Sequence, residues 1–145
     1  MRKSEIRELN EELLISLDKK ASVELVDDVL LVNDTFYFFK HQEKWVASVR
    51  LLLERPELLP HLVVDMGAVR FVANGADIMR PGITSIPEGK AGMIVAVVDE
   101  NNHKPFAVGE YNVSSQEMQE ATTGSVIKNI HYVGDEKWKR YVTKE

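Results

Sequence analysis

Near the amino terminus, apolar side chains recur at helical steps. Ile6, Leu9, Leu13 and Leu17 fall three and four residues apart, among Glu5, Glu8, Glu11 and Glu12. With Ser4 as N-cap, the pattern predicts an amphipathic helix that packs on an adjacent sheet. From Val23 the pattern changes to short apolar runs of β type. Val23 to Val26, Val29 to Val32 and Thr35 to Phe39 are separated by Asp27-Asp28 and Asn33-Asp34, which predicts an antiparallel meander with two-residue turns. Trp45, Val49, Leu52 and Leu53 then predict a second amphipathic helix that ends before Pro56.

The second half reads differently. Leu62 to Val64 is a short buried strand, and Val69, Val72 and Ala73 share one face of a short helix after Gly67. Asn74-Gly75 stops that helix, since both residues tolerate positive φ, and Pro81-Gly82 closes a brief strand. Met93 to Val98 is a strand ended by the turn cluster Asp99-Glu100-Asn101-Asn102. Phe106 to Val113 is the next, with Gly109 marking a bulge or a close approach. Ser114 and Glu117 form a capping box for another short helix, and Ser125 to Val133 is the last strand. Short strands spaced by turns suit a small barrel.

All eight glycines lie between Gly67 and Gly134, and Pro56 and Pro60 bracket the join. The expected fold class is α+β: an N-terminal α+β domain over residues 1–60, then a mixed β-barrel with short helices over 61–145.

Composition limits the chemistry. The absence of cysteine excludes disulfides and thiolate metal sites. No apolar run approaches the ~20 residues of a membrane span, so the expectation is a cytoplasmic protein with no membrane partner. The net charge of -5 is spread evenly, with 9 Lys/Arg and 12 Asp/Glu before residue 61 and 9 and 11 after it. A bulk nucleic-acid coat is therefore disfavoured, and any RNA contact must come from a local patch. His41, His61, His103 and His131 form no metal-ligand spacing, and no phosphate loop or nucleophile elbow is present. No cofactor and no catalytic activity are expected. The run Phe36-Tyr37-Phe38-Phe39 invites base stacking. Strict alternation, with Phe36 and Phe38 on one side and Tyr37 and Phe39 on the other, favours core packing instead. His131, in the last strand, reads as a hydrogen-bonded barrel histidine. In the tail, Lys137, Lys139, Arg140 and Lys144 interleave with Trp138 and Tyr141, a pattern that fits either an RNA contact or a solvated terminal helix.

The stretch from Val63 to Gly82 carries the strongest signal. Val64 to Ala68 and Asn74 to Gly82 resemble the pattern Val-Asp-x-Gly-Ala followed by Ser/Asn-Gly-Ala-Asx-Ile-Met-x-Pro-Gly of PUA domains, specifically the stand-alone translation proteins of the MCTS type. Val95 to Val97, Ala107-Val108-Gly109, Asn129-Ile130-His131-Tyr132 and Trp138 are similar to that family as well, so the resemblance covers roughly residues 45 to 145. It implies a PUA-like barrel that binds RNA through the short helix, the following strand and part of the last strand. Carried over residue by residue, the implied contacts are Arg70, Asn74, Gly75, Ala76, Asp77 and Arg80, with Lys128 from the last strand. Two positions depart from the family: Met66 stands where eukaryotic members usually carry lysine, and Asp77 replaces a neutral asparagine.

The implied function is RNA binding in translation. The partners would be structured RNA, tRNA or rRNA, the small ribosomal subunit or a translation factor, and not DNA. Two alternatives stand beside it: an RNA-targeting subunit of an RNA-modification enzyme, and an acidic adaptor that binds protein and no RNA.

Overall fold

The computed structural model describes residues 20–143. The helix expected around Ile6 to Leu17 lies outside the described residues. The first sheet is the meander β1 (Val23–Val26), β2 (Val29–Val32), β3 (Thr35–His41) and β4 (Lys44–Ala47), in that order. Its three turns are built alike. Asp27-Asp28, Asn33-Asp34 and Gln42-Glu43 are successive pairs with φ between 46° and 66°, the two-residue geometry that matches strand twist.

The third turn is where the sequence pattern misleads. Gln-Glu is a poor positive-φ pair, so it gave no turn signal. The turn nonetheless folds Trp45 back opposite Lys40 in β4, and the lysine ammonium lies 5.3 Å from the indole centroid. Trp45 is therefore in a strand and not in the second helix. That helix, α1 (Val49–Glu54), starts one turn later because Ser48 caps it. The buried Ser48 hydroxyl accepts from Leu51 N and donates to Phe36 O at 2.8 Å, fastening the helix to β3. Its buried face is Val49, Leu51 and Leu52, while Leu53 is exposed.

Alternation also fails along β3. The register shifts between Leu30 and Leu31, which pair with Phe38 and Phe36 and leave Tyr37 as an extra residue. Such a bulge turns the following side chain over. Phe36 and Phe39 thereby come to one face, 6.5 Å apart, and all three phenylalanines of the run are core residues.

The second sheet is mixed, in the order β6-β10-β9-β8-β5-β7. Its strands are β5 (His61–Val64), β6 (Ile78–Met79), β7 (Ile83–Ser85), β8 (Ile94–Asp99), β9 (Pro105–Tyr111) and β10 (Ser125–Tyr132). Only β5 and β8 run parallel. The two edge strands, β6 and β7, are joined by the three-residue 3-10 turn Arg80–Gly82. So short a link cannot span an open sheet of six strands, so the edges must come together and the sheet curls into a barrel. Inside it sit Leu62, Val64, Val95, Val97, Ala107, Tyr111 and Ile127. Three short helices decorate it: α2 (Met66–Val72), α3 (Ser115–Glu120) with the expected Ser114–Glu117 capping box, and α4 (Glu136–Trp138), which continues into a π-helical turn, Lys139–Thr143.

The two sheets share one apolar cluster that takes in Phe36 and Phe39 from the first, Leu52 from α1, and Val63, Ala96 and Val108 from the second. The buried His131 packs against it. Its ring centroid is 5.5 Å from Phe36 and 5.2 Å from Phe39, and its Nδ1 is 2.7 Å from Asp135 Oδ2. Asp135 also accepts from the amides of Tyr132 and Trp138, which starts α4 and turns the C-terminal segment over the first sheet, where Tyr141 meets Phe36. The expected hydrogen-bonded histidine is present, as a joint between sheets. The tail residues are likewise structural in part: Lys137 lies 5.5 Å from the Phe39 ring, and Arg140 pairs with Asp27.

This joint carries a pH dependence. Burial by itself would raise the Asp135 pKa, but the His131 hydrogen bond and charge and the two amide donors outweigh it and hold the carboxyl below its ordinary value. A depressed folded pKa stabilises the protein above the unfolded value of ~4. That contribution is lost as pH falls through the lower folded value. Chemical denaturation of wild type and Asp135→Asn at neutral pH and at about pH 2–3 tests this. The variant is expected to be less stable at neutral pH and to lose less on acidification. Parallel losses would contradict the assignment.

Candidate nucleic-acid interface

The helix α2 begins where β5 ends. Asp65 caps it by accepting from Ala68 N at 2.8 Å, and the Asp65 amide donates to Gly82 O at 2.8 Å. That second bond draws the Arg80–Gly82 turn against the start of the helix. Gly82 permits the approach, since a Cβ there would stand 2.7 Å from Ala68 Cβ. At its other end α2 closes through Asn74 into Gly75, whose φ of +98° fulfils the expected left-handed stop. A Cβ on Gly75 would lie 2.9 Å from the Tyr132 hydroxyl, so conformation and space both select glycine here.

Helix, loop and turn enclose a cleft of about 660 Å³ lined by Asp65, Gly67, Ala68, Phe71, Val72, Ala76, Asp77, Met79, Pro81, Gly82 and Ser125. The cleft combines α2, the strand after it and the start of β10. Its character is apolar. Phe71 and Met79 are 56% and 51% exposed, unusually so for large apolar side chains, and its charged members are two carboxylates.

Of the seven residues nominated from sequence, Ala76 and Asp77 line the cleft directly. Gly75 supports it from behind, against Tyr132. Arg70 is exposed on α2, with its guanidinium 4.8 Å from the Phe71 ring centroid, so it stands at the cleft rim. Asn74 uses its side-chain amide on Arg70 O at 2.7 Å, a bond within the helix terminus. Arg80 is half-buried, with Nε donating to Met118 O at 2.5 Å and Nη1 to Ile83 O at 3.3 Å, which ties the turn to α3. Lys128 is exposed on β10, opposite Glu110 on β9.

The two departures separate in space. Asp77 borders the cleft, and its Oδ1 accepts from Asn129 N at 2.9 Å. Met66 lies on the other flank of α2, in a groove with Leu53, Val69, Lys104, Val133 and Trp138.

Sequence reading gave no site role to Phe71, Met79 or Asn129. Phe71 had one signal, a helix aromatic outside the face of Val69 and Val72. Asn129 had only its place in the family-like run, because its partners are remote in sequence. It donates its side-chain amide to Val72 O and Ala76 O at 3.0 and 3.1 Å, so β10 holds both ends of the loop after α2. Ala73, expected on the buried face, is exposed as the C-cap of α2, where it borders the groove that also holds Val69. Among the described residues, no group of three His, Asp or Glu is placed to hold a metal, and no helix is long and apolar enough to cross a membrane.

The PUA domain family matches residues 60–133. An uncharacterized protein of Methanocaldococcus jannaschii is 38% identical, over 94% of this chain and 91% of its own length. Translation machinery-associated protein 20 of Saccharomyces cerevisiae is 34% identical, over 84% of this chain and 74% of its own. Malignant T-cell-amplified sequence 2 of Homo sapiens is 35% identical, over 84% and 73%. Among solved structures, a PUA domain protein from Thermoplasma acidophilum superposes with a TM-score of 0.81 at 24% identity, covering 97% of both chains. An H/ACA ribonucleoprotein bound to a substrate RNA containing 2'-deoxyuridine matches with a TM-score of 0.52 at 28% identity, over 66% of this chain and 29% of that one.

The loop brace gives a direct test. Asn129→Ala removes a half-buried hydrogen bond to Val72 O and an exposed one to Ala76 O, and should cost about 1–2 kcal/mol. Hydrogen exchange at the amides of Gly75 and Ala76 is expected to speed up more than exchange in the strands of the first sheet. Uniform acceleration across the chain would show that Asn129 stabilises the fold without bracing the loop.

Proposed function

The chain belongs to the PUA domain family, among translation-associated proteins of the MCTS type, and on that premise we propose that it is a non-catalytic RNA-binding protein of the translation machinery. Residues 61–145 are the RNA-binding unit in this reading, and residues 1–60 an α+β companion. The observation that carries it is the exposed aromatic cleft at the position where the family resemblance puts RNA. A cleft walled by Phe71, Met79 and Pro81, with no cation among the described residues that line it, suits an unstacked base better than a phosphate. Phosphates fall to cations at the rim, Arg70 and Lys128. Asp77 and Asn74 shape the loop, and Arg80 holds the turn in place while Gly75 and Ala76 let the backbone approach. The RNA is a structured one, tRNA or rRNA, met in the cytoplasm on the small ribosomal subunit or beside a translation-factor partner.

A second reading, a targeting subunit for an RNA-modification enzyme, draws on the likeness to the H/ACA ribonucleoprotein. Sedimentation separates the two: co-migration with small ribosomal subunits favours the first, and co-purification with a modification enzyme favours the second.

Binding itself is tested by titrating tRNA against wild type, Arg70→Ala and Phe71→Ala at several salt concentrations. Both side chains are exposed, so folding should survive. Arg70→Ala is expected to reduce the salt slope by roughly 0.7–0.9. Phe71→Ala should lose about 1–3 kcal/mol of affinity with little change in slope, since stacking releases no counterions. Wild-type affinity and slope in both folded variants would sink the RNA reading and leave an acidic protein adaptor in its place.

A further inference from the structure

A second cleft, of about 360 Å³, lies between the two sheets. The β3–β4 hairpin contributes His41, Gln42, Lys44 and Val46, and the barrel contributes Met93 and Glu110 among others. His41 and Lys44 are register partners at the hairpin end, so their side chains leave the same face, toward the barrel. His41 Nε2 meets Glu110 Oε1 at 3.2 Å, and both side chains are mostly covered, at 18% and 13% exposure. Lys44 is exposed at the cleft mouth.

Strand register links this cleft to the first one. Ile78, which follows Asp77, pairs with Ile127 on β10. The next residue, Lys128, pairs with Glu110 on β9, the floor of the second cleft. Moving from β6 through β10 to β9 is two strand spacings, roughly 10 Å. Lys128 stands exposed between the clefts. Among the described residues, Glu110 is the carboxylate that lines the second cleft; His41 faces it, Lys44 lies at the mouth, and Lys128 stands outside the lining on the neighbouring strand.

We propose that the β3–β4 hairpin is the second half of an RNA track: a single strand with a base in the first cleft carries its phosphates over Lys128 into the inter-sheet cleft, where Lys44 receives the next one. This rests on the RNA reading above and gives the first sheet a direct part in binding. It also gives the Gln42-Glu43 turn a use, because that turn brings Lys44 opposite His41 and over the barrel.

The test uses the full chain and a single-stranded RNA dodecamer of mixed sequence, titrated at several salt concentrations. The variants are Lys44→Ala, Lys128→Ala, Phe71→Ala and, as a charge control, Lys104→Ala, which removes a lysine from the groove on the far side of α2. Lys44→Ala and Lys128→Ala are each expected to weaken binding and to lower the salt slope by ~0.7, with Lys104→Ala close to wild type. If Lys44→Ala binds like wild type while Phe71→Ala is weakened, the track is overturned and the first cleft stands. An equal loss from Lys104→Ala would reduce the effect to bulk charge and also overturn it. Wild-type behaviour in all four variants, or no binding of the dodecamer by wild type, would overturn the track, while the tRNA titration decides the RNA reading separately.

Discussion

A link of three residues, Arg80–Gly82, sets the shape of this molecule. It joins the first and last strands of a six-stranded sheet, so the sheet has no choice but to curl until its edges meet. Closure brings the turn beside α2, and Gly82 lets the two touch where any larger residue would collide with Ala68. The cleft is the space left between them. Arg80 stabilises this arrangement from inside by hydrogen bonding to carbonyls on either side of it. A side chain that looks like a phosphate ligand in sequence is therefore also a strut.

The second constraint is the joint at His131. Among the described residues the buried imidazole finds no partner for Nε2, so its ordering rests on the other nitrogen, Nδ1, through Asp135. The same carboxylate starts α4, so one side chain orients the histidine, begins the terminal helix and directs the chain across the first sheet. Phe36 and Phe39 can both reach the imidazole only because a bulge in β3 puts them on one face. The two sheets thus share a core.

These constraints leave a surface of mixed character. The cleft interior is aromatic and faintly acidic, while exposed cations stand at its rim and along β10. That distribution fits a chain of net charge -5 that binds through a few placed contacts, where a general positive field would be absent. In the proposed RNA reading, the base face supplies contact area and the rim supplies salt dependence, so the two contributions are separable by substitution.

Much of this was legible in the chain alone, wherever the determinant is local. The Asp-Asp and Asn-Asp turns, the Ser114 capping box, the Asn74-Gly75 stop and the strand runs of the barrel other than β7 depend on the conformational preferences of a few neighbouring residues, and they were read at the right places; the three-residue edge strand β7 carried too short a pattern to be read. The motif from Val64 to Gly82 belongs to the same class, since helix, loop and turn are contiguous there. What the chain could not disclose was decided by contacts between distant residues. Trp45 lies in a strand because Gln42-Glu43 accepts a strained turn that cross-strand pairing stabilises. Phe39 points with Phe36 because of a register shift against β2. Asn129 braces a loop more than fifty positions away, and Lys128 stands between two clefts because β10 pairs with both β6 and β9. Local sequence fixes dihedral angles. Only the folded sheets decide which side chains face one another.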